Sequence, residues 1–197
     1  GSFFPLGEAE KDLIEGEALA LRAFIHFDLL RLFAPSPEVN ANGAYLPYFK
    51  EYPSKYEAKQ KTSDFLQLVL GDLSQAKHLV VHFDSTYREE IGLYSTTWRY
   101  APQSTKLGRF FNSRGIRLNY MAIHGMLARV YMYAGDETNA EKEARYVLEH
   151  FVASEGGADA LRFASASELT SGKGFNTKYK SEIIFALYDD KLTDLYQ

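Results

Sequence analysis

Residues 17–34, EALALRAFIHFDLLRLFA, make an unbroken helical stretch that is apolar on nearly every side. Ile14, Ala18, Leu21, Ile25, Leu29 and Leu32 recur at three- and four-residue spacing, while Ala20, Ala23, Phe24, Phe27, Leu30 and Phe33 fill most of the remaining circumference. Beyond Glu17, only Arg22, His26, Asp28 and Arg31 interrupt the apolar surface, and Asp28 precedes Arg31 at a spacing that allows an ion pair along the helix. A helix with so little polar surface needs cover on two faces. That requirement places it in a layered helical array.

With 197 residues the chain is long enough to bury a full core, and its 46% hydrophobic and 24% charged content fits a globular protein rather than a disordered one. A net charge of −4 provides no field to hold a polyanion, which points away from nucleic acid as a partner. The absence of cysteine removes disulfide frameworks, thiolate metal sites and thiol nucleophiles. No apolar run reaches the roughly 20 residues that span a bilayer. Gly1 and Ser2 read as a cloning remnant.

The first helix is predicted over 8–33 and ended by Pro35 and Pro37, because a residue before proline is pushed out of the helical region. Residues 35–61 then mix Pro, Asn and Gly with Tyr45, Tyr48, Phe49, Tyr52 and Tyr56, which predicts an irregular, ring-rich connection. Thr62 or Ser63 caps a second helix over 64–82, with Phe65, Leu66, Val69, Leu70, Leu73, Ala76, Leu79 and Val80 inward. Residues 84–112 show no clean period and hold Trp98 with Tyr87, Tyr94, Tyr100, Phe110 and Phe111; a connection of this length is uncommon unless functional or partly structured. A third helix over 113–134 stops at Gly135 and Asp136, and a fourth over 138–151 completes an antiparallel pair. Residues 182–188, EIIFALY, read as a short buried strand.

Helices three and four fit the tetratricopeptide pattern: Leu127, Ala128, Tyr131, Gly135, Ala140 and Ala144 occupy its large, small, aromatic, turn and small positions. Ala128 and Ala140 would let the helix backbones approach, Tyr131 would plug the gap, and Gly135 would supply the turn. His124 stands where a Trp is usual. Helices one and two are expected to form a second, more diverged pair with Ala23 and Ala76 as the small contacts.

On these residues the chain resembles the SusD-like (RagB/SusD) nutrient-binding outer-membrane lipoproteins of the Bacteroidetes. Four segments carry the likeness: Glu17-Ala18 through Arg22-Ala23 to Phe27-Asp28-Leu29-Arg31-Phe33; Asp72-Leu73 with Ala76 and Leu79; Arg117, Asn119 and Ala122 running into Leu127-Ala128-Arg129-Val130-Tyr131 and Ala134-Gly135-Asp136; and Glu182-Ile183-Ile184-Phe185. The resemblance implies a surface-exposed, non-enzymatic lipoprotein that captures oligosaccharides or other nutrients and delivers them to a SusC-like TonB-dependent transporter. Family members are much longer and begin at a lipidated cysteine. The expectation is therefore that residues 1–197 are the helical, tetratricopeptide-like portion of a longer protein, attached to the membrane only through an anchor this chain does not carry.

Among side chains with chemistry, His78 and His82 share the i, i+4 spacing of a zinc pair, but no HExxH pattern or third ligand accompanies them, and two exposed residues near a helix end are the plainer reading. His26 and His124 lie within apolar helices and read as hydrogen-bonded interior histidines. Asp189, Asp190 and Asp194 lack the glycine-centred oxygen alternation of a calcium loop, and Glu8, Glu10, Glu89 and Glu90 read as solvated carboxylates. Gly156-Gly157 and Gly172-Lys173-Gly174 lack the order of a phosphate-binding loop. The long ring-rich connection is the best lead. A sugar presents an apolar face to Tyr or Trp and hydroxyls to amide and charged groups, and Trp98, Tyr94, Tyr100, Arg99 and Gln103 offer that mixture as a ligand-binding set. The plainer alternative is that these rings tie the loop to the helices.

The sequence thus predicts an all-α array of tetratricopeptide-like antiparallel helix pairs, with long aromatic loops and a minor strand element near the C-terminus. It predicts ligand capture with no catalytic residue, no cofactor and no metal. One rival is an adaptor that grips a partner peptide in the groove of its helical superhelix. The other is a glycoside-cleaving enzyme, which needs two converging carboxylates.

Overall fold

The computed structural model describes residues 4, 7–95, 109–152, 161–164, 166 and 181–187. It is mostly helical: α1 (Glu8–Phe33), α2 (Pro37–Asn40), α3 (Thr62–Thr86), α4 (Tyr120–Ala134) and α5 (Glu137–Val152), with strands β1 (Ala44–Pro47) and β2 (Lys59–Lys61) between α2 and α3. No described helix is long and apolar enough to cross a membrane.

α1 and α3 run antiparallel, since Gly16 meets Val80, Arg22 meets Asp72 and His26 meets Phe65. Close approach explains Gly16: a Cβ there would lie 2.6 Å from Val80 Cγ1 and 3.3 Å from the Ala76 carbonyl oxygen. The buried stripe of α1 is Leu13, Gly16, Ala20, Ala23, Phe27 and Leu30. The other apolar stripe faces outward, with Ile25 48% and Leu32 74% exposed, so α3 covers one side of this helix and, among the described residues, the second expected cover extends only around Phe24 and Leu21, where residues 185–187 lie. α1 ends at Phe33 as the prolines require, and Pro37 opens α2 at the first helical position, where its missing N–H costs nothing.

β1 and β2 pair antiparallel with an irregularity between Ala44 and Leu46. The predicted strand at 182–188 is not present among the described residues 182–187. The physical reason lies in the hydrogen bonds along it, which go to different places: Ser181, just before the segment, accepts from the Arg162 amide at 3.1 Å, while the Ala186 amide donates to Ile116 at 3.0 Å. A segment whose partners change along its length cannot form a ladder. The minor sheet belongs instead to the connection between α1 and α3 that the sequence reads as irregular.

α4 starts at Tyr120, seven positions later than the sequence suggests, because Asn119 caps it: its Oδ1 accepts from the Ala122 amide at 2.9 Å and its Nδ2 donates to the Gly115 carbonyl at 2.8 Å. Short 3₁₀ turns at Arg109–Phe111 and Arg114–Ile116 fill the space before it. The α4–α5 hairpin turns on Gly135, at φ +80°, with the Gly135 amide donating to Met132 and the Asp136 amide to Tyr131.

Two polar nodes that involve α1 sit inside this apolar body. Arg114 is fully buried and donates both ways to Asp84 (2.8 and 2.7 Å) and to Glu17, which also accepts from Arg117. Asp84 additionally accepts from the Tyr120 amide at 2.8 Å, so one carboxylate joins the end of α3 to the start of α4. In the second node Asp72 accepts a two-point clasp from Arg22 (2.6 and 2.7 Å) and a bond from the Tyr48 hydroxyl (2.7 Å). Burial, then the Asp72 carboxylate, push the Tyr48 phenol well above its ordinary value and keep its proton in place.

Candidate ligand-binding site

Of the residues singled out for ligand contact, Trp98, Arg99, Tyr100 and Gln103 lie outside the described residues; Tyr94 is placed. Its ring stacks on His150 at 4.6 Å between centroids, and its hydroxyl is 3.2 Å from that of Tyr146. From there a column of rings continues: His150 to Tyr146 at 4.3 Å, Tyr146 to His124 at 3.9 Å, and Tyr120 edge-on to His124 at 4.5 Å. Both contributions have a helical origin, since Tyr120 and His124 on α4, like Tyr146 and His150 on α5, are four residues apart and share a face. His124, in the position where the tetratricopeptide pattern uses Trp, fills it by stacking on Tyr146.

Beside the column is a cavity of about 330 Å³ lined by Lys77, Tyr120, His124, Lys142, Glu143 and Tyr146, among others. Lys77 Nζ donates to Glu143 Oε1 at 2.8 Å, and His124 Nδ1 lies 2.5 Å from Glu143 Oε2, off the line of a directed hydrogen bond. Burial raises the Glu143 pKa, but the pull of His124 and Lys77 outweighs it and leaves this carboxyl below its ordinary value. Burial, reinforced by Tyr94, pushes the Tyr146 phenol far up, so it stays a donor. His124 Nε2 is buried with no partner among the described residues. The column therefore offers fixed donors and a rim of cations, not an activated nucleophile.

The ends of the long connection are fastened by rings. Phe83 stacks on Phe111 at 4.6 Å and packs against Tyr87 at 4.8 Å, while the Arg117 guanidinium sits 5.1 Å from the Phe110 ring centre. At these points the rings tie the loop down.

Among solved structures, the chain matches a SusD superfamily protein from Bacteroides thetaiotaomicron with a TM-score of 0.64 and 21% identity. The fold is SusD-like. The alignment covers 97% of this chain and 34% of that one, so the chain spans about a third of that protein's length. No protein-family model matches the sequence, and no curated protein matches it.

Within the SusD-like fold, the residues that carry the sequence likeness are its polar joints. Glu17 and Arg117 belong to the Arg114 node, Arg22 and Asp72 to the Tyr48 node, and Asn119 caps α4. Asp28 reaches Arg129 across to α4 at 3.5 Å. Ile184 and Phe185 pack on α4 and α1: a Cβ on Gly125 would lie 2.7 Å from Ile184 Cδ1, and Phe185 meets the edge of Phe24 at 5.7 Å. The groove between α1 and α4 thus holds the chain's own residues. His78 and His82 are both exposed on α3, and among the described residues no three His, Asp or Glu side chains gather.

Proposed function

We propose that this protein captures an oligosaccharide nutrient at the outer-membrane surface and passes it to a SusC-like TonB-dependent transporter, without breaking a bond in it. The observation that carries this reading is the SusD-like fold along 97% of the chain. In this reading residues 1–197 are one helical domain of a longer surface lipoprotein. Trp98 and Tyr100 stack on sugar rings, and Arg99 and Gln103 bind hydroxyls. Tyr94, whose ring is engaged with His150, completes the set.

The adaptor reading is less well supported: a peptide in the groove between α1 and α4 would have to displace Ile184 and Phe185. An oligosaccharide array probed with the unaltered protein and with Trp98→Ala tests the proposal. Saturable binding is expected, weakened roughly three- to ten-fold in the variant, the equivalent of about 0.5–1.5 kcal/mol of ring stacking. Binding to no oligosaccharide overturns the function. Equal affinity in the variant removes Trp98 from the site.

A further inference from the structure

A second cleft lies further along the same seam between α3 and the α4–α5 hairpin, at the turn end of the hairpin. It measures about 460 Å³ and is lined by Gln67, Leu70, Gly71, Ser74, Tyr131, Ala134, Asp136 and Asn139. A volume of this size falls within the roughly 300–1,000 Å³ of small-molecule sites.

Gly71 is the residue that the fold does not explain. It sits in the middle of the 25-residue helix α3, where glycine weakens a helix relative to alanine, and a Cβ built on it meets nothing within 4 Å. Gly16 has Val80 as its reason and Gly125 has Ile184; Gly71 has open space. Gln67, Gly71 and Ser74 follow one another at i, i+4 and i+7 along one exposed face of α3, so the missing side chain leaves a flat strip of backbone between an amide and a hydroxyl. Gln67 and Ser74 side chains have no hydrogen-bond partner among the described residues. Across the cleft stand the Tyr131 ring and the Asp136–Asn139 pair, in which Asn139 Nδ2 donates to Asp136 Oδ2 at 2.6 Å. Those bonds hold the Asp136 carboxyl below its ordinary value, and each of its oxygens retains a free lone pair for a further donor. Among the described residues, no Lys or Arg lines the cleft.

We propose that this cleft is a binding site for a neutral sugar ring, seated on the bare backbone of Gly71, with its hydroxyls bound by Gln67, Ser74, Asp136 and Asn139 and an apolar face against Tyr131. The chemistry is selective. One fixed carboxylate, with no cation among the described lining residues, repels a uronate or a phosphate, whereas amide, hydroxyl and carboxylate groups around an aromatic ring suit vicinal hydroxyls. This site rests on the nutrient-capture reading and adds a second place where a glycan is held, built from residues other than Trp98 and its neighbours.

The test uses calorimetry and protein-observed NMR on the 197-residue chain, with glucose, galactose, mannose, maltose and cellobiose as neutral probes and glucuronate as the acidic one. The variants are Gly71→Leu, which fills the strip, Gln67→Ala, and Trp98→Ala as a control for the other loop. The expected result is binding of at least one neutral sugar with shifts at the Gly71 and Ser74 amides, a loss of ten-fold or more in Gly71→Leu, about three-fold in Gln67→Ala, and no change in these shifts in Trp98→Ala. Gly71→Leu should melt no lower than the unaltered chain, which separates lost binding from lost fold. Neutral-sugar binding that Gly71→Leu leaves intact overturns this site and leaves the nutrient reading standing, as does binding of glucuronate alone. Binding of none of these sugars by the unaltered chain overturns this site, while the nutrient reading falls only if the oligosaccharide array is also blank.

Discussion

Arg114 is the residue on which the interior depends most. A fully buried guanidinium is tolerable only because Asp84 and Glu17 face it, and removing it leaves Asp84 charged in an apolar setting. Arg114→Met should therefore cost about 3–5 kcal/mol in urea unfolding, a loss that adding Asp84→Leu in the same chain recovers in part. A cost under about 1 kcal/mol would show the node to be ornamental. His26 gives a second prediction at this scale. Its Nδ1 donates to the Arg22 carbonyl at 2.9 Å and its Nε2 accepts from the Phe49 amide at 3.1 Å, an arrangement open only to the neutral ring, and burial holds its pKa below the ordinary 6.5. The unfolded chain then binds the proton more readily, so His26 contributes stability that is complete above pH 6.5 and lost as pH falls through its lowered value. Glu143, depressed below 4.5, adds a later loss as pH falls through its own lowered value. Melting temperature against pH should fall in that order, with the Phe49 amide resonance moving in the first step; His26→Gln should remove the first step alone.

The two helical glycines of α1 and α3 are predicted to respond in opposite senses, because their surroundings differ. Gly16→Ala pushes a methyl into Val80 and should destabilise by about 1–3 kcal/mol, whereas Gly71→Ala enters open space and should stabilise by roughly 0.5–1 kcal/mol. Thermal melts of the two variants check this, and a shared sign would contradict the helix contacts described. Element type was legible where the pattern was long: α1 and α3 follow from their apolar spacing, and Gly135 marks the α4–α5 turn by its left-handed φ. The start of α4 was not legible, since Asn119 and the buried Arg114 decide it through contacts made only after folding. EIIFALY has strand-forming side chains but, among the described residues, no strand beside it, and periodicity cannot reveal a missing partner.

At the scale of the molecule, the α1–α3 and α4–α5 pairs stack because small residues and buried ion pairs join them at few, fixed points. Those joints were visible in the sequence as the residues that resemble the family: Glu17, Arg22, Asp28, Asp72, Arg117 and Asn119. The candidate site was less visible. Tyr94 stood out as a loop aromatic, but its partners Tyr146 and His150 were hidden among the polar residues of α5, and only their i, i+4 spacing, matched by Tyr120 and His124, could have shown that two helices build one column. The outward stripe of α1 was legible as apolar but not as uncovered by the described residues. Replacing Ile25 and Leu29 by Ser should change stability by less than about 1 kcal/mol, while the same change at Leu30 should cost about 2–5 kcal/mol. The most direct test of the whole account is to titrate the protein with an oligosaccharide by calorimetry and then weigh the recovered sugar by mass spectrometry. Saturable binding with every recovered sugar at its original length is the result predicted; shortened sugar, or no saturation with any oligosaccharide, would contradict capture without catalysis.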